Sequence, residues 1–226
     1  MPGAVGSLWN RIAHFNFPVQ LNASTRAFFA RLAQQESGQL ARDLKAISGP
    51  KPDLSAAARL SRIPHYNSSM RTTCVATMLE AGHAENALPQ RARATIQCRL
   101  LPAESPERIR QALERVVADS AIKVTLPEQP DSSPPSPPSA EVLSAVERVT
   151  TGMWPGVIAL PVMDPWTTDG RHFRAAGTPV YGVSGIFYDI ADVRAHGKDE
   201  RILVQSFYEG VEFNYRLMKA LGTVSP

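Results

Sequence analysis

The stretch QRARATIQCRLL, Gln90–Leu101, alternates without a break. Ala92, Ala94, Ile96, Cys98 and Leu100 fall on one side of an extended chain; Arg91, Arg93, Thr95, Gln97 and Arg99 fall on the other. Successive side chains of a strand point to opposite faces, so this is a strand with one covered face and one polar face. Upstream, Arg71–Leu79 is rich in Thr and Val and reads as its partner, joined through a turn around Gly82–Asn86. Downstream, Ser105 caps a helix with Pro106 at its first position and Ile109, Leu113, Val116 and Val117 facing inward. Lys123–Leu126 reads as a closing strand. Ahead of the hairpin, residues 7–15 form a short amphipathic helix that ends before Pro18. A second helix starts near Ser24, with Phe28, Phe29 and Leu32 on one stripe. The order helix, strand, strand, helix, strand is an incomplete split β-α-β (ferredoxin-like) module, with its first strand expected ahead of Met1.

From this module the chain runs into PEQPDSSPPSPPSA, Pro127–Ala140. The stretch is rich in Pro and Ser, has no apolar period, and reads as an extended linker. A shorter second part follows. It opens with a helix capped by Ser139 (Val142, Val146 and Val149 inward), then a short helix capped by Asp169 that stops at Gly177. A buried strand Pro179–Gly185, a loop presenting His196, and a terminal helix from about Leu203 complete it. Phe207, Val211, Tyr215 and Met218 are assigned to that helix's inner stripe. Strands alternating with helices argue an α/β layer, and a single strand is too few for its sheet.

The bulk numbers exclude several classes. A formal charge of +3 spread along 226 residues, with no run of like charges, gives no footprint for nucleic acid or an anionic membrane. No apolar run approaches the ~20 residues that span a bilayer. Met1–Phe15 lacks the basic-then-apolar order of a signal peptide. Cys74 and Cys98 have no C-x-x-C spacing; they read first as small buried thiols, and otherwise as a facing pair on neighbouring strands.

His196 sits between a small residue and a glycine with acids just beyond, in AHGKDERI, a setting that suits a metal ligand as well as a surface-loop histidine. Arg99 ends a strand on its polar face, where a guanidinium can grip a carboxylate by two parallel hydrogen bonds or simply meet solvent. Asn86 fits a left-handed turn position, and Thr168 and Asp169 fit a helix cap. His14, His65 and His172 have no partner spacing and read as structural or exposed, and His83 sits in the hairpin turn.

Three segments taken in order resemble the zinc-dependent metallopeptidase family of glutamate carboxypeptidases, aminoacylases and carnosinase-like dipeptidases. ENALPQRARATIQCRLLP is similar to its Asn-x-x-Pro turn and arginine-ended strand; TTDGRHFRAAGTPVYG is similar to its Thr-Asp…Gly-x-Pro segment; AHGKDERI is similar to its closing His loop. The resemblance implies a lid and dimerisation domain over residues 1–127, a linker over 128–139, and the C-terminal part of an α/β metallohydrolase domain over 140–226. It implies His196 as a metal ligand, Asn86, Arg99 and Thr168 as substrate-binding residues, two zinc ions in the whole enzyme, a homodimer formed through the lid, and a peptide or N-acyl amino acid substrate.

The family's His-x-Asp pair, bridging aspartate and Glu-Glu pair precede the lid, and none of them occurs in this sequence. The general base is therefore absent. The chain is expected to be the C-terminal portion of an amide-bond hydrolase, inactive in isolation. The other reading is a non-enzymatic dimerisation or interaction module, or a decayed fragment of such an enzyme.

Overall fold

In the computed structural model, residues 9–127, 133–164, 166–189 and 192–222 are described. The chain divides into two compact units. Unit 1 is Met1–Pro135 with Val162–Pro179, and unit 2 is Ser136–Pro161 with Val180–Pro226.

Unit 1 opens with a helical segment, residues 9–14 (α1), then α2 (Ala23–Leu32), α3 (Gly38–Ser48), α4 (Leu54–Leu60) and α5 (Pro64–Met70). The cap of α2 is Asn22 rather than Ser24: its Oδ1 accepts from the Thr25 amide at 2.8 Å. Asp53 caps α4 by accepting from the Ser55 and Ala56 amides. From α2 to α5 each helix packs on the next, and Phe29, Leu44, Ile47, Ala56 and Met70 are fully buried. Tyr66 of α5 meets Phe28 and Phe29 of α2 with ring centroids 6.4 and 6.0 Å apart.

One ion pair braces this bundle. Arg59 of α4 grips Asp43 of α3 through Nε at 2.8 Å and Nη2 at 2.6 Å. The Asp43 side chain is almost fully enclosed, and the hydrogen bonds from Arg59 hold its pKa at about 2.

The sheet of unit 1 is the hairpin β1 (Thr73–Ala81) and β2 (Ala92–Arg99), antiparallel, with Thr73 opposite Arg99 and Ala81 opposite Ala92. A bulge between Ala76 and Met78 shifts the register by one residue. The alternation of β2 is as the sequence predicts: Ala94, Ile96 and Cys98 are half-buried, and Arg93, Thr95, Gln97 and Arg99 are exposed. Their cover is α6 (Pro106–Val117), which follows Ser105 and buries Ile109, Leu113 and Val117. Ile12 and Phe17 complete this cluster. Cys74 and Cys98, directly opposite in the register, form a disulfide rather than two free thiols.

The predicted closing strand Lys123–Leu126 is not paired. Residues 121–127 carry the alternation, with Ile122 and Val124 packed on the α6 cluster, but join no ladder. Among the described residues the only sheet is two-stranded.

Unit 2 holds α7 (Ala140–Met153) and α9 (Val204–Gly222), which pack on each other, while α8 (Gly170–Ala175) belongs to unit 1. Ser139 caps α7 through its Oγ. Asp169 stands at the cap position of α8 without a side-chain bond to it.

Pro179–Gly185 is not a strand. Among the described residues no segment pairs with it, and Pro179, Tyr181, Gly182 and Ser184 are exposed. Instead Ser136 Oγ accepts from the Val180 amide and donates to the Val180 carbonyl, holding it at one point.

The inner face of α9 also differs from the predicted stripe. Ser206, Gly210, Phe213 and Leu217 are buried, and Phe207, Val211, Tyr215 and Met218 are exposed. Close approach decides this. A Cβ on Gly210 would lie 2.7 Å from Ile186 Cγ1, and one on Gly185 would lie 2.6 Å from Phe213, so this face admits the chain where the bulkier stripe cannot.

Two outcomes follow for unit 1. The disulfide closes a loop over a separation of 24 residues; in the chain-entropy account its loss costs about 3 kcal/mol. A Cys74→Ala/Cys98→Ala chain is therefore expected to unfold at lower urea than wild type, and wild type in dithiothreitol to match it; equal midpoints in all three would sink the cross-link. For Asp43, the folded pKa lies below the unfolded value, so its stabilisation is present above about pH 4 and lost as pH falls toward about 2. Asp43→Asn should melt lower near neutral pH and show a shallower acid dependence; parallel pH profiles would contradict the assignment.

Candidate functional site

Two of the four predicted site residues share a cleft. Arg99 at the end of β2 and Thr168 just before α8 both line a depression of about 230 Å³ within unit 1. Alternation puts Arg99 on the polar face of the sheet. Arg99 Nη1 donates to Thr167 Oγ1 at 2.9 Å, which fixes one prong of the guanidinium and leaves the rest of the fork facing the cleft.

The short helix α8 brings two cations that the sequence reading passed over. Arg171 and Arg174 line the same cleft, half-buried. Arg171 is positioned by its amide, which donates to the Thr168 carbonyl at 3.1 Å, and its Nε lies 3.2 Å from His172 Nε2. Arg174 Nε donates to Ser133 Oγ at 3.1 Å. Their spacing of three residues, which stacks side chains on one helix face, was the available signal. Asp164 is the acid on this lining. Three guanidinium groups against one carboxylate make the cleft cationic, and the hydroxyls of Ser68, Ser133, Thr167 and Thr168 add neutral hydrogen-bonding groups. Such a depression suits a small anion, above all a planar carboxylate that can be held by paired N–H groups.

Asn86 is elsewhere. It lies exposed in the hairpin turn, beyond the opposite end of β2 from Arg99. It does not take the left-handed conformation read for it; Gly82, at φ 82°, takes that position in the turn.

His196 stands in unit 2 at the tip of a turn, exposed, with φ 63°. Left-handed backbone in a non-glycine residue is uncommon, though histidine tolerates it better than most. Charged residues flank it on both sides. Arg194 pairs with both Asp192 and Asp199, Arg201 Nη2 reaches Asp192 at 2.9 Å, and the Gly197 amide closes on the Arg194 carbonyl at 2.9 Å. The two arginines hold the Asp192 pKa below the usual carboxylate range. A catalytic zinc takes about three protein ligands, and the described residues contain no group of three His, Cys, Asp or Glu side chains able to hold a metal ion. The residues present do not by themselves fit a zinc site.

Residues 16–125 match the peptidase dimerisation domain family. The chain is 27% identical over 162 residues to the probable carboxypeptidase S-like 2 of Dictyostelium discoideum, covering 71% of this chain and 31% of that protein. It is 29% identical over 168 residues to the N-fatty-acyl-amino acid synthase/hydrolase PM20D1 of Homo sapiens, covering 73% and 34%. To human aminoacylase-1 it is 30% identical over 170 residues, covering 74% and 41%. The chain thus spans about a third of the length of the curated relatives it matches. Its fold is similar to the M20 family metallo-carboxypeptidase Sso-CP2 from Sulfolobus solfataricus, with a TM-score of 0.59 at 14% identity, over 96% of this chain and 52% of that one. Residues 16–125 are therefore a peptidase dimerisation domain, and the chain is similar to the carboxypeptidases and aminoacylases whose family its three motifs resemble.

Proposed function

We propose that this chain supplies the substrate-gripping lid and the closing part of the catalytic domain of a zinc-dependent amide hydrolase acting on peptides or N-acyl amino acids. The convergence of Arg99, Arg171 and Arg174 on one cleft carries this reading. A substrate of either class ends in a carboxylate beside the amide to be cut, and the cleft's charge and donor geometry match that group. Arg99, braced by Thr167, takes the carboxylate in a two-pronged grip. Arg171 and Arg174 strengthen the field, and the Thr168 hydroxyl offers one further hydrogen bond. Holding the carboxylate orients the neighbouring amide, and orientation is a large part of what such enzymes contribute.

In this reading residues 1–127 form the lid, 128–139 the linker and 140–226 the returning part of the catalytic domain. His196 is one ligand of a metal whose other ligands and general base this chain does not supply, so the chain binds substrate without cutting it. The lid pairs with a second copy to form a homodimer. Asn86, beyond the far end of β2 from Arg99, then reaches substrate only at the partner's site. The outward face of β1 leaves Val75 and Met78 more than half exposed, which also favours the plainer reading of a non-catalytic dimerisation module.

Titration of the chain with N-acetyl-methionine and with its methyl ester, followed by calorimetry, separates the two. The acid is expected to bind and the ester not. Arg99→Ala should weaken the acid about 10- to 100-fold, the ~1.5–3 kcal/mol of a hydrogen bond to a charged group. With zinc added, no free methionine should form. Equal binding of acid and ester would sink the carboxylate reading, and release of methionine would refute the claim that the general base is absent.

A further inference from the structure

The Arg99 cleft has an apolar side that the grip on a carboxylate does not use. Trp166, Met163, Leu100 and Pro102 line it together with the three arginines. Leu100, Pro102 and Met163 are half-buried, so they form a wall rather than loose surface.

The chain holds the indole close to the grip. The Trp166 amide donates to Asp164 Oδ1 at 3.2 Å, a local turn that sets where the side chain leaves the backbone. The next residue, Thr167, accepts from Arg99 Nη1 at 2.9 Å. The one after it, Thr168, accepts through its carbonyl from the Arg171 amide at 3.1 Å. Trp166 is thus the immediate neighbour of the hydroxyl that braces Arg99. Met163 is tied from the other side. Its Sδ accepts from Asn22 Nδ2 at 3.1 Å, and the Oδ1 of the same amide caps α2. An amino acid carries its side chain on the carbon next to its carboxylate, so a carboxylate held by Arg99 brings that side chain beside the apolar wall.

We propose that Trp166 is a specificity-determining residue, and that the cleft selects carboxylates whose α-carbon carries a large apolar side chain, above all an aromatic one. A ring packs offset or edge-on against an indole and gains more than its buried area alone supplies. The thioether of Met163 adapts to the shape of what it meets. A methyl group in the same place makes far less contact. A side chain ending in a second carboxylate would meet Asp164, the acid on this lining, and lose water against Leu100 and Pro102. The inference rests on the carboxylate reading of this cleft and adds to it the class of amino acid that bears the carboxylate.

The test is calorimetry of the full chain with N-acetyl-phenylalanine, its methyl ester, N-acetyl-alanine and N-acetyl-glutamate. The phenylalanine acid is expected to bind about tenfold more tightly than the alanine acid, and the ester, which reports the carboxylate grip separately, not to bind. In Trp166→Ala the phenylalanine and alanine acids should bind equally. Trp166→Phe, which keeps a ring, should restore most of the difference. Trp166 is 56% exposed, so neither change opens the core, and a general loosening of the chain would weaken both acids without altering their ratio. Equal binding of the two acids by wild type would overturn the proposal and leave the carboxylate reading standing. Tightest binding by the glutamate compound, or a ratio unchanged in Trp166→Ala, would do the same. Failure of every acid to bind would overturn both.

Discussion

A two-stranded hairpin is marginal in water on its own, and unit 1 is organised around keeping one in place. The inward face of β1 and β2 is held by the Ile109, Leu113 and Val117 stripe of α6, and the two strands are joined covalently at Cys74 and Cys98. The end of the hairpin is then pinned from both sides. The Thr72 hydroxyl donates to Glu104 and accepts from the Leu101 amide, and Arg71 Nη1 donates to the Phe17 carbonyl at 3.0 Å. These bonds hold the backbone at the end of the hairpin where Arg99 lines the cleft.

Unit 2 obeys a different constraint. Its small core of Ala145, Val149, Phe213 and Leu217, with Trp154 stacked on Phe213 at 5.5 Å, is built by close approach at two glycines rather than by large side chains. The bulky residues of α9 consequently face outward, and Tyr188, Leu203 and Tyr208 are exposed beside them. The unpaired stretch Pro179–Gly185 belongs to the same picture, since a strand has no ladder without a neighbour.

What the sequence made legible was what its own periodicity and capping encode. The hairpin, α6 behind Ser105-Pro106, and α7 behind Ser139 all follow from local pattern. The helices α3 to α5 were not read, although Leu40, Leu44 and Ile47 keep helical spacing and Asp53 is a strong cap. Strand assignments for Lys123–Leu126 and Pro179–Gly185 had the right alternation or apolarity, but pairing depends on a neighbour, which no local pattern supplies. The same limit governs the site. Arg99 was legible because it ends an alternating strand. The convergence of Arg171 and Arg174 upon it depends on a contact across some seventy residues of chain. The face of α9 misled because hydrophobicity favours Phe207 and Val211 inward, whereas steric fit favours Ser206 and Gly210.

The account rests on a carboxylate being held at the Arg99 cleft, and a crystal structure of the chain grown with an N-acyl amino acid tests that most directly. Density for the carboxylate between the Arg99, Arg171 and Arg174 guanidiniums, within hydrogen-bond distance of Arg99, is the expected result. A ligand bound elsewhere, or a cleft that stays empty at saturating ligand, would contradict it.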